Sequence, residues 1–477
     1  MSLKNKAIFG AIWVLFDKII NQAGSFVLLI YLSQILSPSD FGLIAMLTIF
    51  LAVAQSLIDS GFSQALIQKS TKVTVDDLST VFYVNLLASI LLYFLLYALA
   101  PSIAIFYNQP ELTLLSRVLF VVVIINALSL VPKTKLSIAI DFKTQGLINS
   151  VAMIASTIVA VYMVRDDFGY WSLVGMNLSK ALINSILLII FSRWYPKWVF
   201  SIESFKLLFS FGSKLMFAGV ISTIVQNLYT ILIGRYFNPT QVGYFQQGYN
   251  YTNILSNTLS SIVQGVTYPV MTSIQKDKNR LVQMYIKVMG MVTFLTFPVF
   301  VGFAAIAEEF VLIFLGEKWS PIVPILIILS FARVISPISS LNMNILNARG
   351  RSDLFLKADL IKIPVIIIAL FIAIPFGIVA VAMAQLFSVV ISFFINTYYP
   401  GKLFNFGAKQ QLIQASPIII ASIIMYLAVS LVELDSLSLQ LVIKTMVGVF
   451  VYILTCWCLN VRALKEIILI MKKISNY

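Results

Sequence analysis

Any chemistry in this chain must come from amides, hydroxyls, aromatic faces and a few cations, because histidine is absent and only two cysteines, Cys456 and Cys458, occur. Without histidine the commonest proton shuttle and nitrogen metal ligand are missing, which removes His-based triads and His-containing metal sites. No cofactor and no metal are expected. The two thiols, two residues apart on a helix, point about 200° from each other and read as packing residues. What remains suits recognition. Gln246, Asn250, Asn253, Asn257, Ser260 and Gln264 recur at helical spacing, within about 80° of arc. With Tyr249 and Tyr251 beside them, they offer the donors, acceptors and ring faces that sugars require. Asp17, Lys18, Asn21, Gln22 and Ser25 likewise share a face, as do Ser222, Thr223, Gln226, Asn227 and Thr230, each set within about 140°. Arg333, Ser340, Asn344 and Asn347 form a fourth stripe.

Charge sharpens this pattern. Lys18, Lys180 and Arg333 lie about 9 to 12 residues from the nearest polar break, which at a rise of about 1.5 Å is too deep for easy snorkelling. Lys180 shares a face with Asn177 and Asn184. Arg117, Arg235, Lys287 and Lys444 stand near helix ends and are expected to snorkel to the headgroups. Apart from Asp359 in the first turn of a later helix, the acidic groups within apolar segments are Asp17 and Asp59. Both are candidates for binding a coupling ion, although Asp59, just before Gly61, also fits a helix cap. Cations in excess inside apolar segments attract anionic groups such as a pyrophosphate and repel lipophilic cations.

The elements that carry these residues must be membrane spans. Of 477 residues, 60% are apolar, 11% are charged and the mean hydropathy is +0.96, a composition foreign to soluble domains. A window of about 19 residues yields fourteen apolar segments, from 9–36 to 439–460, with 41–60, 114–132, 211–237 and 243–272 among them. Of the 33 basic residues, 24 fall on the breaks and tails of one phase, whereas the opposite breaks hold only Arg165 and Lys318 against nine acids. This asymmetry puts both termini in the cytoplasm. The net charge of +14 therefore reflects topology and calls for no nucleic-acid partner. No phosphate loop and no long external segment are present, so nucleotide hydrolysis and an external catalytic domain are not expected.

Two halves are legible in a repeat. Pro38 to Gly42 and Pro239 to Gly243 are Pro-x-x-x-Gly turns offset by 201 residues, and parallel repeats of this kind are typical of transporters that rock two lobes about a central site. The expected organisation is an N-lobe over 1–192 (helices one to six), a connector over 193–210, a C-lobe over 211–400 (helices seven to twelve), and two further helices with a basic tail over 401–477. Within the connector, Trp194, Tyr195 and Trp198 precede the amphipathic stretch Ile202 to Phe209, the composition of a segment lying in the interface.

The runs from Leu36 to Met46, Asp59 to Lys69 and Phe106 to Leu112 strongly resemble the bacterial polysaccharide-transport family, which includes Wzx-type flippases of O-antigen, capsule and exopolysaccharide pathways. The resemblance implies an all-α polytopic fold of about fourteen spans, with two pseudo-symmetric six-helix lobes plus two helices, shared with lipid-II flippases and with drug and toxin extruders. It implies alternating access through a cationic central cavity and an undecaprenyl-pyrophosphate-linked oligosaccharide as substrate, moved across the bacterial inner membrane. It also implies membrane lipids and other polysaccharide-assembly membrane proteins as partners. By position, Lys18 and Arg333 match the family's habit of placing basic residues in the cavity. The extra helix pair would border a groove for the polyprenyl tail. The substrate cavity is expected to comprise Lys18, Asn21, Gln22, Lys180, Gln226, Asn227, Asn250, Asn253, Asn257, Arg333 and Asn344. A multidrug or toxin antiporter of the same fold is the alternative, and too few buried carboxylates favour it; a membrane-embedded polymerase or glycosyltransferase would need a catalytic domain for which there is no room.

Overall fold

The computed structural model describes residues 3–59, 61–69, 72–274 and 277–466; within its helices the side chains at 3–12, 15, 59, 211, 214, 218, 262–270, 272, 273, 278 and 352 fall outside the description. The described residues are almost entirely helical and divide into two compact units, Met1–Gln246 and Gln247–Tyr477.

The first unit contains α1 (Leu3–Ile35), α2 (Pro38–Asp59), α3 (Phe62–Lys69), α4 (Val75–Tyr107), α5 (Leu112–Leu119), α6 (Val121–Ile138), α7 (Phe142–Arg165), α8 (Trp171–Ser192), α9 (Ile202–Gln226) and α10 (Leu228–Tyr236). Here α8 packs on both α6 and α7, α1 packs on α7, and α9 lies against α2 and α3. Helix α7 shows why the chain folds this way. It exposes Leu147, Val151, Ile154 and Ile158 and buries Ala152, Ser156 and Ala160. A stripe of small residues lets helix backbones approach closely in lipid, while large apolar side chains face outward, the reverse of a water-soluble protein.

The second unit continues with α11 (Pro239–Ser273), whose first residues belong to the first unit, and then α12 (Lys278–Ala305), the single turn α13 (Ala307–Phe310), α14 (Val323–Ala348), α15 (Ser352–Ala373), α16 (Ile378–Phe404), α17 (Ala408–Ser430) and α18 (Leu437–Cys458). A row runs from α12 through α14 and α16 to α15, while α17 packs on α12 and α18 on α17. A buried polar knot fastens α17. The Tyr285 hydroxyl donates to Asn342 Oδ1, and Gln411 Nε2 donates to Asn342 Oδ1 at 2.9 Å and to the Tyr285 oxygen at 3.0 Å.

Among the described residues, eleven helices are long and apolar enough to cross a membrane, or twelve if the bent α9 is one span. The span expected over 114–132 is present as Leu112–Ile138, with a turn at Phe120 between α5 and α6. One segment differs from the sequence expectation for a local reason. Instead of starting at 211, α9 starts at Ile202, absorbs the amphipathic stretch and bends by 47° between Ser210 and Leu215. It ends at Asn227, whose side-chain amide donates to the Thr223 carbonyl at 2.8 Å, a local bond that competes with continued helix.

The repeated turns share stereochemistry. Ser37 caps α2 with Pro38 as the first helical residue; the Asp40 backbone amide donates to Ser37 Oγ at 3.3 Å and the Ser37 backbone amide to Asp40 Oδ2 at 2.8 Å, a reciprocal capping box. Asn238 Oδ1 accepts from the Gln241 amide at 2.9 Å ahead of α11, with Pro239 in the same role.

Candidate substrate and ion sites

In the first unit, a chain of amides is built around one carboxylate. Asn21, one turn along α1, donates to Asp17 Oδ1 at 2.6 Å. Asn149 of α7 donates to Oδ2 at 3.1 Å, and Asn184 of α8 donates to Asn149 Oδ1 at 2.9 Å. The close approach of α7 depends on Gly146, where an added Cβ would stand 3.1 Å from the Asp17 Cβ. Lys180, one turn before Asn184, and Lys133 both attract the Asp17 carboxylate. Lys180 keeps an exposed side chain.

Beside this network, a recess of about 350 Å³ is lined by Gln55, Ser63, Asn126, Ser129, Lys133 and Asn184, among others. Asn126 donates to Gln55 Oε1 at 2.8 Å, and the Ser63 and Thr134 hydroxyls are 2.7 Å apart. The remaining expected residues are placed less centrally. Lys18 is exposed and Gln22 half-buried. Gln226 is exposed and donates to Ser222 Oγ at 2.8 Å, within its own helix. Asp59 closes α2, and its side chain, like that of Gln264, lies outside the described residues.

In the second unit, the Arg333 guanidinium lies 4.5 Å from the centre of the Tyr249 ring, a cation–π contact between α14 and α11. Among the described residues, one of its terminal nitrogens, buried, has no hydrogen-bond partner, and the same holds for Asn344 Nδ2 on α14. Along that helix Asn250 and Asn253 are half-buried and Asn257 is exposed, while Gln247, Thr252 and Ser256 are buried. Asn250 donates to Gln247 Oε1 at 3.2 Å.

Gln55, Asn126, Lys133 and Asn149 were not legible as site residues. Gln55, Asn126 and Asn149 form no polar stripe of their own, and Lys133 is part of a basic run read as a cytoplasmic break. The packing of α2, α6, α7 and α8 brings them toward Asp17 and the recess. Lys444 departs from its expectation in the other direction. It does not snorkel; it is buried and paired with the buried Glu309 at 2.5 Å, with Gln440 Nε2 on the same oxygen at 2.8 Å. Its partner lies 135 residues away, beyond any local sequence signal.

Helices that turn apolar stripes outward and collect amides and cations within define a multi-pass membrane protein. The chain belongs to the polysaccharide biosynthesis protein family, whose sequence profile matches residues 31–324. It is 28% identical over 309 residues to the teichuronic acid biosynthesis protein TuaB of Bacillus subtilis (strain 168), a match covering 63% of this chain and 62%, less than two thirds, of that protein. It is 25% identical over 406 residues to the lipopolysaccharide biosynthesis protein WzxC of Escherichia coli (strain K12), covering 83% and 82%. Among solved structures, the lipid II flippase MurJ in an inward closed conformation superposes with a TM-score of 0.72 at 17% identity, covering 94% of this chain and 98% of that one. An inward-facing multidrug resistance MATE family transporter of the MOP superfamily gives 0.65 at 14% identity, covering 83% and 100%. At these identities the structures establish the fold.

Proposed function

We propose that this protein is a flippase that carries polyprenyl-pyrophosphate-linked oligosaccharide repeat units, of an O-antigen, capsule or exopolysaccharide, across the bacterial inner membrane by alternating access. The observation that carries the reading is the excess of cations on polar, membrane-embedded faces. Lys180 lies within electrostatic reach of Asp17, Lys18 is exposed on the polar face of α1, and Arg333 keeps a buried donor without a partner among the described residues. An uncompensated cation in a span costs at least about 2.5 to 3.5 kcal/mol on insertion scales, so an anionic substrate is the natural counterpart. In this account Lys18, Lys180 and Arg333 engage the pyrophosphate. Asn21, Gln22, Gln226, Asn227, Asn250, Asn253, Asn257 and Asn344 serve the sugars, and Tyr249 holds Arg333 in place. Asp17 is the candidate for ion coupling, with Asp59 a second.

The topology completes itself on this reading. The eleven apolar helices, the bent α9 as a twelfth, and the long α1 and α11 make fourteen spans, six to each lobe plus α17 and α18, with both termini in the cytoplasm. An apolar groove of about 630 Å³ on α18, lined by Met446, Val449, Phe450, Ile453, Leu454 and Trp457 among others, suits the polyprenyl tail. Other polysaccharide-assembly membrane proteins are the expected partners, and the protein does no bond chemistry. The test is to delete the gene and identify the lipid-linked intermediate that accumulates. A cation antiporter would instead leave lipid-linked sugars unchanged and alter drug sensitivity.

A further inference from the structure

A second recess, of about 370 Å³, opens between α12, α17 and the residues that follow α18, and none of its lining residues is assigned above to substrate. Its size is that of a ligand site, about 300 to 1,000 Å³, and its lining is mixed. Lys287 and Gln283 come from α12, Gln414 from α17, and Arg462 and Glu466 from the segment after α18. Lys287 meets Glu466 at 3.3 Å, with the two side chains 49% and 27% exposed. An ion pair so exposed contributes little stability and opens readily. Gly290 shapes the wall, because a Cβ there would stand 2.9 Å from Gln414 Nε2. The amide can therefore donate to the Ile286 carbonyl at 2.9 Å. Among the described residues its buried Oε1 is left without a partner.

We propose that this recess holds the headgroup of an acidic phospholipid that carries a hydroxyl, a phosphate diester of the phosphatidylglycerol kind, drawn from the leaflet at which α12 begins. Lys287 and Arg462 against Glu466 leave one net positive charge, matching a singly charged diester rather than a zwitterion. Both cations donate charge-assisted hydrogen bonds to the phosphate oxygens, and the orphaned Gln414 carbonyl accepts from a headgroup hydroxyl. The occupied site straps the segment after α18 to α12 and α17. The inference rests on the membrane-embedded reading above but not on the identity of the transported glycan.

The test is lipid retention by the purified full-length protein, read by native mass spectrometry with phosphatidylglycerol, phosphatidylethanolamine or phosphatidylmethanol, the last being a diester without a hydroxyl. Wild type should retain phosphatidylglycerol over phosphatidylethanolamine. The exposed-residue variant Lys287→Gln/Arg462→Gln should lose that preference, by about tenfold or more for each charge-assisted bond removed. Gln414→Leu should bind phosphatidylglycerol and phosphatidylmethanol alike, where wild type prefers the former. Equal retention by wild type and the double variant overturns the site, and displacement of phosphatidylglycerol by an equal concentration of glycerol 3-phosphate overturns the lipid as its source. Polymer export measured in the same variants bears on the flippase reading alone, so the two fail separately.

Discussion

Gly42 and Pro239, at the heads of α2 and α11, are packed so closely that a Cβ on Gly42 would lie 1.8 Å from the Pro239 carbonyl oxygen. The relationship is reciprocal, since a Cβ on Gly243 would lie 1.8 Å from the Pro38 oxygen. The two Pro-x-x-x-Gly turns therefore cross with each glycine seated against the other turn's proline, which gives the repeat a physical reason. No residue larger than glycine fits without moving a backbone. At the other end of α2, Gly61 and Gly212 of α9 make a similar mutual contact, since a Cβ added at Gly61 would lie 2.5 Å from the Gly212 oxygen.

Gly42→Ala or Gly243→Ala should therefore destabilise the purified protein by about 1 to 3 kcal/mol, the cost of overpacking, read as a fall in thermal unfolding temperature. Gly302→Ala is the control. Its added Cβ would find only Met425 at 3.7 Å, an ordinary contact, and the helix gains up to about 1 kcal/mol of propensity.

The Glu309–Lys444 pair yields a second expectation. Because both groups are buried, Glu309→Leu or Lys444→Met alone should cost about 3 to 5 kcal/mol by stranding its partner, while the double change should recover most of the loss. A double-mutant cycle on thermal unfolding measures the coupling. Additive losses would show that the pair is not coupled.

On α11, cysteine substitutions at Asn253 and Asn257 should be labelled by a membrane-impermeant thiol reagent, whereas those at Thr252 and Leu255 should not. Thr252 is fully buried, and Leu255 packs against an apolar cluster that includes Phe294, Ile418 and Met425. The background is Cys456→Ser with Cys458→Ser, because Cys458 is exposed. Equal labelling of both faces would mean that the amides merely tie helices together.

Asp17→Asn preserves shape and most hydrogen bonds but deprives Lys180 and Lys133 of their shared counter-charge. Polymer export should fall steeply in this variant while the protein still inserts. Asn184→Ala, which is bonded to Asp17 only through Asn149, should fall less. Export in proteoliposomes or cells, normalised to protein level, distinguishes the two; equal export by Asp17→Asn and wild type removes Asp17 from the coupling role.

The polar faces legible in the sequence are those whose signal is local and periodic. The Asn250, Asn253 and Asn257 stripe, the Asp17 and Asn21 face and the repeated turns all declare themselves within one or two helical turns, because a bilayer makes each polar residue costly enough to be informative. Asn149 and Asn126 stand among scattered hydroxyls and amides with no stripe, the pattern of ordinary helix packing. Their bonds to Asp17 and Gln55 come from helices distant in sequence. Lys444 misled for the same reason, since nothing near it in sequence shows that Glu309 will arrive. The start of α9 was placed late because hydropathy marks where a helix becomes apolar, and the helical backbone begins earlier, at its Ser201 cap.

The central claim is tested most directly by the leaflet distribution of the lipid-linked repeat unit in cells lacking the gene and complemented with wild type, Lys18→Ala, Arg333→Ala or Arg333→Lys. The account predicts that the intermediate accumulates on the inner leaflet without the gene and that wild type clears it. Arg333→Ala should leave it accumulated despite normal expression, Lys18→Ala likewise, and Arg333→Lys should clear it partially, because charge is kept while the planar fork is lost. Full clearance by both alanine variants, or no inner-leaflet accumulation on deletion, would contradict it.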